Sequence, residues 1–261
     1  MGLSGGVDSA VTAWLLAAGC AVHAEGEAPG ERSPGDMTVE ERVGQMVMSK
    51  AYGYYTSSAG DDAKRLEHIV REHKFGGIIL MQGEVLESAA LLNRLQEMAE
   101  VPLLVGSDFE WGAAMRIRRT TRFPEAMAVA ATGDSTLAFR LGRAIGAEAR
   151  ALGVHQVFAP VADVNVNPAN PVINTRSFGE DPTLVTRMAR GVATGLRSAG
   201  ALATAKHFPG HGDTDVDSHL DLPRVSVSRA RMDSVELVPF RALIRDSIAS
   251  VMVAHVVLPA I

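Results

Sequence analysis

The run Lys206-His207-Phe208-Pro209-Gly210-His211-Gly212-Asp213-Thr214-Asp215-Val216-Asp217-Ser218-His219 gathers one lysine, three histidines and three aspartates into one short, glycine-containing stretch. Such side chains donate, accept and shuttle protons, and the imidazoles do so near neutrality. Few of them can contribute to a core. Histidines in a glycine-rich loop can also simply hydrogen-bond backbone, but three of them, with Asp217 two residues before His219, favour acid/base chemistry. A metal site built from His207, His211 and Asp215 is the competing chemistry. Ligand pairs four residues apart are most convincing on a helix, and Pro209 with Gly210 breaks any helix here. No metal and no cofactor are therefore expected.

The residues before this run explain where it sits. Ala201-Leu202-Ala203-Thr204-Ala205 is a short apolar run that reads as a buried strand. A polar loop leaving the C-terminal end of such a strand is where α/β barrels keep catalytic groups. Further apolar runs at 76–81, 102–106, 154–159 and 250–255 read as strands. Helical spacing fills 61–74, 86–99, 136–152, 182–199 and 228–246, and Thr38 with Glu41 forms a capping box ahead of another helix. Strands apolar on both faces, alternating with helices, make a parallel sheet covered by helices. Polar residues cluster just after strand ends, at Asp108, Asp163, Lys206, His207 and His255. Several strands contribute, and no G-x-G-x-x-G follows the first, so a (β/α)8 TIM-type barrel is favoured over a doubly wound sheet. About six of the eight strands are present, which gives the expectation of an incomplete barrel.

Bulk properties agree. The chain has 261 residues, 47% hydrophobic and 21% charged, with a formal net charge of -5. That profile suits one globular domain with a sizeable core. Mild acidity with scattered Arg and Lys gives no hint of a nucleic-acid footprint, and no nucleic-acid partner is expected. Cys20 is the single cysteine, so no internal disulfide can form. No apolar stretch reaches the length of an integral membrane span.

The Lys206–His219 run resembles the β-N-acetylglucosaminidase branch of the family 3 glycoside hydrolases, whose loop reads K-H-F-P-G-H-G followed by D-S-H. Every one of those positions is matched here. The resemblance extends from about Asp36 to the C-terminus. Asn165-Val166-Asn167-Pro168 and Arg176-Ser177-Phe178-Gly179-Glu180-Asp181-Pro182 look like the segment after that family's fourth strand. Ser107-Asp108-Phe109-Glu110-Trp111-Gly112 looks like its sugar-binding turn, with a looser match at Trp111. Residues 1–35 are read as an N-terminal extension or linker and 36–261 as the barrel domain.

The resemblance implies an exo-acting, retaining β-N-acetylhexosaminidase that takes a carbohydrate substrate with terminal N-acetylglucosamine. It implies His219 as general acid/base and Asp217 as its partner, a departure from the usual pair of carboxyl groups. Asp108, Arg176, Lys206 and His207 would hydrogen-bond the terminal sugar. Asp163 and His255, from their similar strand-end positions alone, are candidates to support them. The family's nucleophile is an aspartate after the seventh strand, and no aspartate follows Asp246. This chain is accordingly expected to be inactive by itself. The alternatives are a non-catalytic sugar-binding remnant and a β-glucosidase-type member.

The first residues point elsewhere. Leu3-Ser4-Gly5-Gly6-Val7-Asp8-Ser9 resembles the PP-loop of ATP pyrophosphatases of the tRNA thiouridylase kind. It is read as a detached fragment without ATP function. Leu16-Ala17-Ala18-Gly19-Cys20 resembles a lipobox, although no Lys or Arg precedes Cys20. The two readings imply a cytoplasmic protein and a periplasmic lipoprotein respectively, so localisation stays open.

Overall fold

The computed structural model describes residues 33–55, 57, 59–214 and 223–259. The PP-loop-like segment, Cys20, Asp215, Asp217 and His219 lie outside the described residues. The chain forms two compact units, the first built mainly from residues up to Ser107 and the second mainly from Asp108 onward.

The first unit begins with helix α1 (Val39–Gln45). Thr38 Oγ1 accepts from the Glu41 amide at 3.2 Å, and Glu41 Oε2 accepts from the Thr38 amide at 2.9 Å. The anticipated capping box is thus formed. Strand β1 (Met48–Gly53), helix α2 (Asp61–Arg71), strand β2 (Gly77–Glu84), helix α3 (Val85–Met98) and strand β3 (Leu104–Ser107) follow. β1 pairs with β2 and β2 with β3, both in parallel. A two-residue strand β4 (Ile117–Arg118) runs beside the end of β2. Leu66, Ile69 and Val70 of α2 and Leu92 and Leu95 of α3 are buried, together with Ile78, Leu80 and Val105 of the sheet. β1 was not among the expected strands. Ser49, Lys50 and Gly53 interrupt its apolar pattern, and its burial is uneven.

The second unit carries helices α4 (Ala126–Ala130), α5 (Ser135–Ala151) and α6 (Pro182–Ser198), with strands β5 (Gln156–Val157), β6 (Leu202–Phe208) and β7 (Ser250–Val253). β5 pairs with β6 and β6 with β7, again in parallel. Between them the sheet holds a polar layer. Gln156 Nε2 donates to Thr204 Oγ1 at 3.0 Å and Ser250 Oγ at 2.8 Å, and the two hydroxyls lie 2.8 Å apart. One residue from each strand is satisfied at one level, which fixes the register. Val185, Met188, Val192 and Leu196 line the buried face of α6, and Leu141 and Ile145 that of α5.

The single helix expected over 228–246 is in fact two: α7 (Arg229–Ser234) and α8 (Leu237–Arg245). Pro239 is the reason. It has no amide hydrogen, and its ring excludes the carbonyl four residues earlier, at Val235. Val235 accordingly leaves the helical region, with φ -127° and ψ -73°. Pro239 then falls in the first turn of α8, where a missing donor costs nothing.

Candidate active site

Four segments of the second unit deliver charged side chains to one place. β6 ends in Lys206, His207 and Phe208. Residues 108–112 form a turn, closed by the Gly112 amide donating to the Phe109 carbonyl. Phe109 is wholly buried and anchors this turn, while Asp108 and Glu110 flank it in sequence. Asp163 lies in an irregular segment beside β6, where Val161 bridges Lys206 in parallel. Arg176 ends a 3-10 turn at Asn174–Arg176. The Asn170 side chain holds the approach to that turn, accepting from the Val172 and Ile173 amides and donating to the His211 carbonyl.

The charges alternate. Lys206 Nζ lies 2.8 Å from Asp108 Oδ1 and 2.7 Å from Glu110 Oε1. Glu110 also takes a two-pronged contact from Arg176, at 2.9 Å from Nε and 2.8 Å from the terminal nitrogen. Such paired N–H···O bonds are the strong and directional form of this interaction. The same Arg176 terminal nitrogen lies 3.5 Å from His207 Nε2. His207 Nδ1 is 2.7 Å from Asp163 Oδ2. Arginine has only donors and a carboxylate only acceptors. Those neighbours select the tautomer with hydrogen on Nδ1 and a lone pair on Nε2.

Asp163 does more than orient that ring. Its carboxylate accepts from the His207 amide at 3.2 Å and from the His211 amide at 2.7 Å. It therefore holds both ends of the His207–His211 turn. Burial by itself would raise the Asp163 carboxyl, but His207 and these amide donors outweigh it and hold it below the usual carboxylate range. Glu110 shows the same contest. Burial would raise it, yet Lys206 and Arg176 together bring it down to about 2. In return Glu110 raises the Arg176 guanidinium, against the lowering effect of burial. His211 goes the other way, because burial pushes its imidazole below the ordinary value. Its Nδ1 faces Thr214 Oγ1 at 2.7 Å.

Exposure divides the group. The side chains of Lys206 and Glu110 are 2% and 6% exposed, whereas Asp108 is 18% and Arg176 22% exposed. His207 is 17% exposed, and Asp163 is fully buried. The buried pair fixes the solvent-facing trio. That trio offers a carboxylate acceptor, a planar donor and an imidazole, which is chemistry suited to a ligand rich in hydroxyl groups.

Asp108, Arg176, Lys206 and His207, singled out in the sequence, are thus joined in one network. Asp163 belongs to it through His207. His255 does not: β7 ends at Val253, and His255 is exposed, with no bond to the cluster among the described residues. Glu110 was missed. The available signal was stoichiometric, since Lys206 and Arg176 as site cations require more carboxylate than Asp108 supplies.

Comparison with known proteins identifies the family. The family model described as the Glycosyl hydrolase family 3 N terminal domain matches residues 38–261. The chain is 41% identical over 211 residues to "Beta-hexosaminidase A" of Pseudoalteromonas piscicida, covering 75% of this chain and 35% of that protein. It is 36% identical over 225 residues to "Beta-N-acetylglucosaminidase/beta-glucosidase" of Cellulomonas fimi, covering 86% and 39% respectively. Among solved structures, it is similar to a family 3 β-N-acetylglucosaminidase from Paenibacillus sp. str. FPU-7, with a TM-score of 0.76 and 40% identity. That match covers 86% of this chain and 43% of the other. The chain therefore spans well under half the length of these three relatives. Its parallel α/β fold is that of the family's TIM-type barrel, and the match to the family model begins at residue 38. On these grounds the chain belongs to glycosyl hydrolase family 3.

Proposed function

We propose that residues 36–261 supply the sugar-binding cluster and the acid/base dyad of a retaining exo-β-N-acetylglucosaminidase. The observation that carries this reading is the convergence of Asp108, Arg176, Lys206 and His207 on one network, within a chain of this family. Asp108 accepts from hydroxyls of the terminal sugar, and Arg176 and His207 complete its polar wall. Lys206 and Glu110 hold Asp108 and Arg176 in place.

The chemistry then follows from the motif. An aspartate, to which no residue of this chain is assigned, attacks the anomeric carbon. His219 gives its proton to the departing glycosidic oxygen as that C–O bond breaks. In the second step His219 removes a proton from water, whose oxygen displaces the aspartate and releases the sugar. Asp217 orients the imidazole and stabilises its cationic form. These two roles rest on the complete match to K-H-F-P-G-H-G and D-S-H. The double name of the Cellulomonas fimi relative favours one second reading, a β-glucosidase-type specificity.

The test compares substrates. In a chain extended to include the family's nucleophile, His219→Ala should cost roughly 10²–10⁴-fold in turnover of a natural disaccharide, whose leaving oxygen needs a proton. An activated aryl N-acetylglucosaminide should lose far less in its glycosylation step. Equal losses on both would remove His219 from the acid/base role. Preference for an aryl glucoside over the aryl N-acetylglucosaminide would favour the second reading.

A further inference from the structure

Glu236 is a buried acid that the mechanism does not use. It sits in the break between α7 and α8, with its side chain 1% exposed. Neither carboxyl oxygen has a hydrogen-bond partner among the described residues. The nearest cation is Arg231, whose Nε stands 3.4 Å from Oε1 and whose own side chain is 41% exposed. This is a long contact to a solvated guanidinium, which compensates a buried carboxylate poorly.

What Glu236 does touch is the functional loop. Gly210 has a φ of +133°, a conformation open to glycine. A Cβ built there would stand 3.0 Å from Glu236 Cβ and 3.2 Å from Cγ. The stem of Glu236 therefore packs directly against the backbone of Gly210. That residue lies between His207, whose carbonyl accepts from the Gly210 amide at 2.8 Å, and His211, whose amide donates to Asp163. The turn is held from one side by the Asp163 carboxylate and seated from the other by Glu236.

We propose that Glu236 is a positioning residue that seats the His207–His211 turn in its uncharged, carboxylic acid form. A charged carboxylate at this place would have only the long Arg231 contact and its own amide to compensate it, and would face Asp213 of the same loop. Burial, then Asp213, push the Glu236 carboxyl above its ordinary range, while Arg231 and the residue's own amide act the other way. As pH rises through that raised value the turn gains an uncompensated buried charge, and its hold on His207 and His211 weakens. The consequence for catalysis rests on the function proposed above; the placement of Glu236 does not.

The experiment is hydrogen exchange at the His211 amide between pH 5 and 8, with protection corrected for the intrinsic pH dependence of exchange. In the wild-type chain, protection should fall as pH rises. Glu236→Gln keeps the shape without the charge and should hold protection near its low-pH level throughout. Glu236→Ala removes the seat and should lower protection at every pH. Thermal melts supply a second readout. The advantage of Glu236→Gln over wild type should be near zero at about pH 4 and grow with pH above the ordinary glutamate value. An identical pH profile in wild type and Glu236→Gln would overturn the proposal. So would a Gln variant less stable than wild type at neutral pH, which would make Glu236 an ion-pair partner of Arg231. Neither readout involves sugar or turnover, so its outcome is independent of the proposed activity.

Discussion

Glu110 carries the electrostatic weight of the site, because it is the residue where the buried Lys206 and the partly exposed Arg176 meet. Its folded-state value of about 2 lies below the ordinary 4.5. A depressed carboxyl contributes stability that is present above its unfolded value and lost as pH falls toward the folded one. For Glu110 the loss falls between about pH 4.5 and 2 and is on the order of 3 kcal/mol. Urea melts from pH 2.5 to 7 should therefore show a steeper acid limb in wild type than in Glu110→Gln. The variant should be less stable at pH 7, since it leaves Lys206 and Arg176 short of a counter-charge. An acid limb of equal steepness in the variant would assign it to other carboxylates. At this scale the sequence was informative where a loop motif or a strand end marked the residue, as with Lys206, His207 and Asp108. It was silent on Glu110, whose importance arises only when residues 66 and 96 positions away meet it.

Elements, in contrast to residues, owe their placement to surfaces that a hydrophobic pattern shows only in part. α5 and α6 were legible from spacing, but how closely they pack was not. A Cβ at Gly195 of α6 would stand 2.2 Å from the Phe139 carbonyl oxygen and 2.6 Å from the Arg143 amide nitrogen of α5. The backbones meet there with no room for a methyl group. Helix propensity favours alanine over glycine by about 1 kcal/mol, whereas overpacking costs typically 1–3 kcal/mol. Contact with backbone, which cannot swing aside, lets packing prevail. Gly195→Ala should therefore destabilise the chain, by roughly 1–2 kcal/mol in chemical denaturation. A gain in stability would mean that the two helices separate at little cost. The same lesson applies to residues 228–246. The helical period runs through Pro239, yet the chain cannot, and the break it forces at Val235 and Glu236 delivers a carboxyl group to the loop. Strand β1 was hidden for another reason. Its Lys50 and Ser49 serve Arg65 of α2, through a carbonyl at 3.2 Å and a hydroxyl at 3.1 Å, so polar residues occupy a strand without breaking it.

For the whole molecule, one polar cluster of the second unit is proposed to receive a terminal N-acetylglucosamine. The loop motif and the strand-end positions of Lys206, His207 and Asp108 support that proposal in a chain of glycosyl hydrolase family 3. Its buried members, Lys206 and Glu110, hold Asp108 and Arg176 in place, and the more exposed Asp108, Arg176 and His207 face solvent. Binding is therefore the property that reports on the site without depending on the rest of the catalytic apparatus. The direct measurement is calorimetric titration of this chain with N-acetylglucosamine, beside Asp108→Ala, which removes the solvent-facing acceptor. The expected result is saturable binding by the wild-type chain, weakened at least tenfold in the variant, about 1.4 kcal/mol or more. Equal affinity in the two proteins, or no binding by the wild-type chain, would contradict the assignment of this cluster as the sugar site.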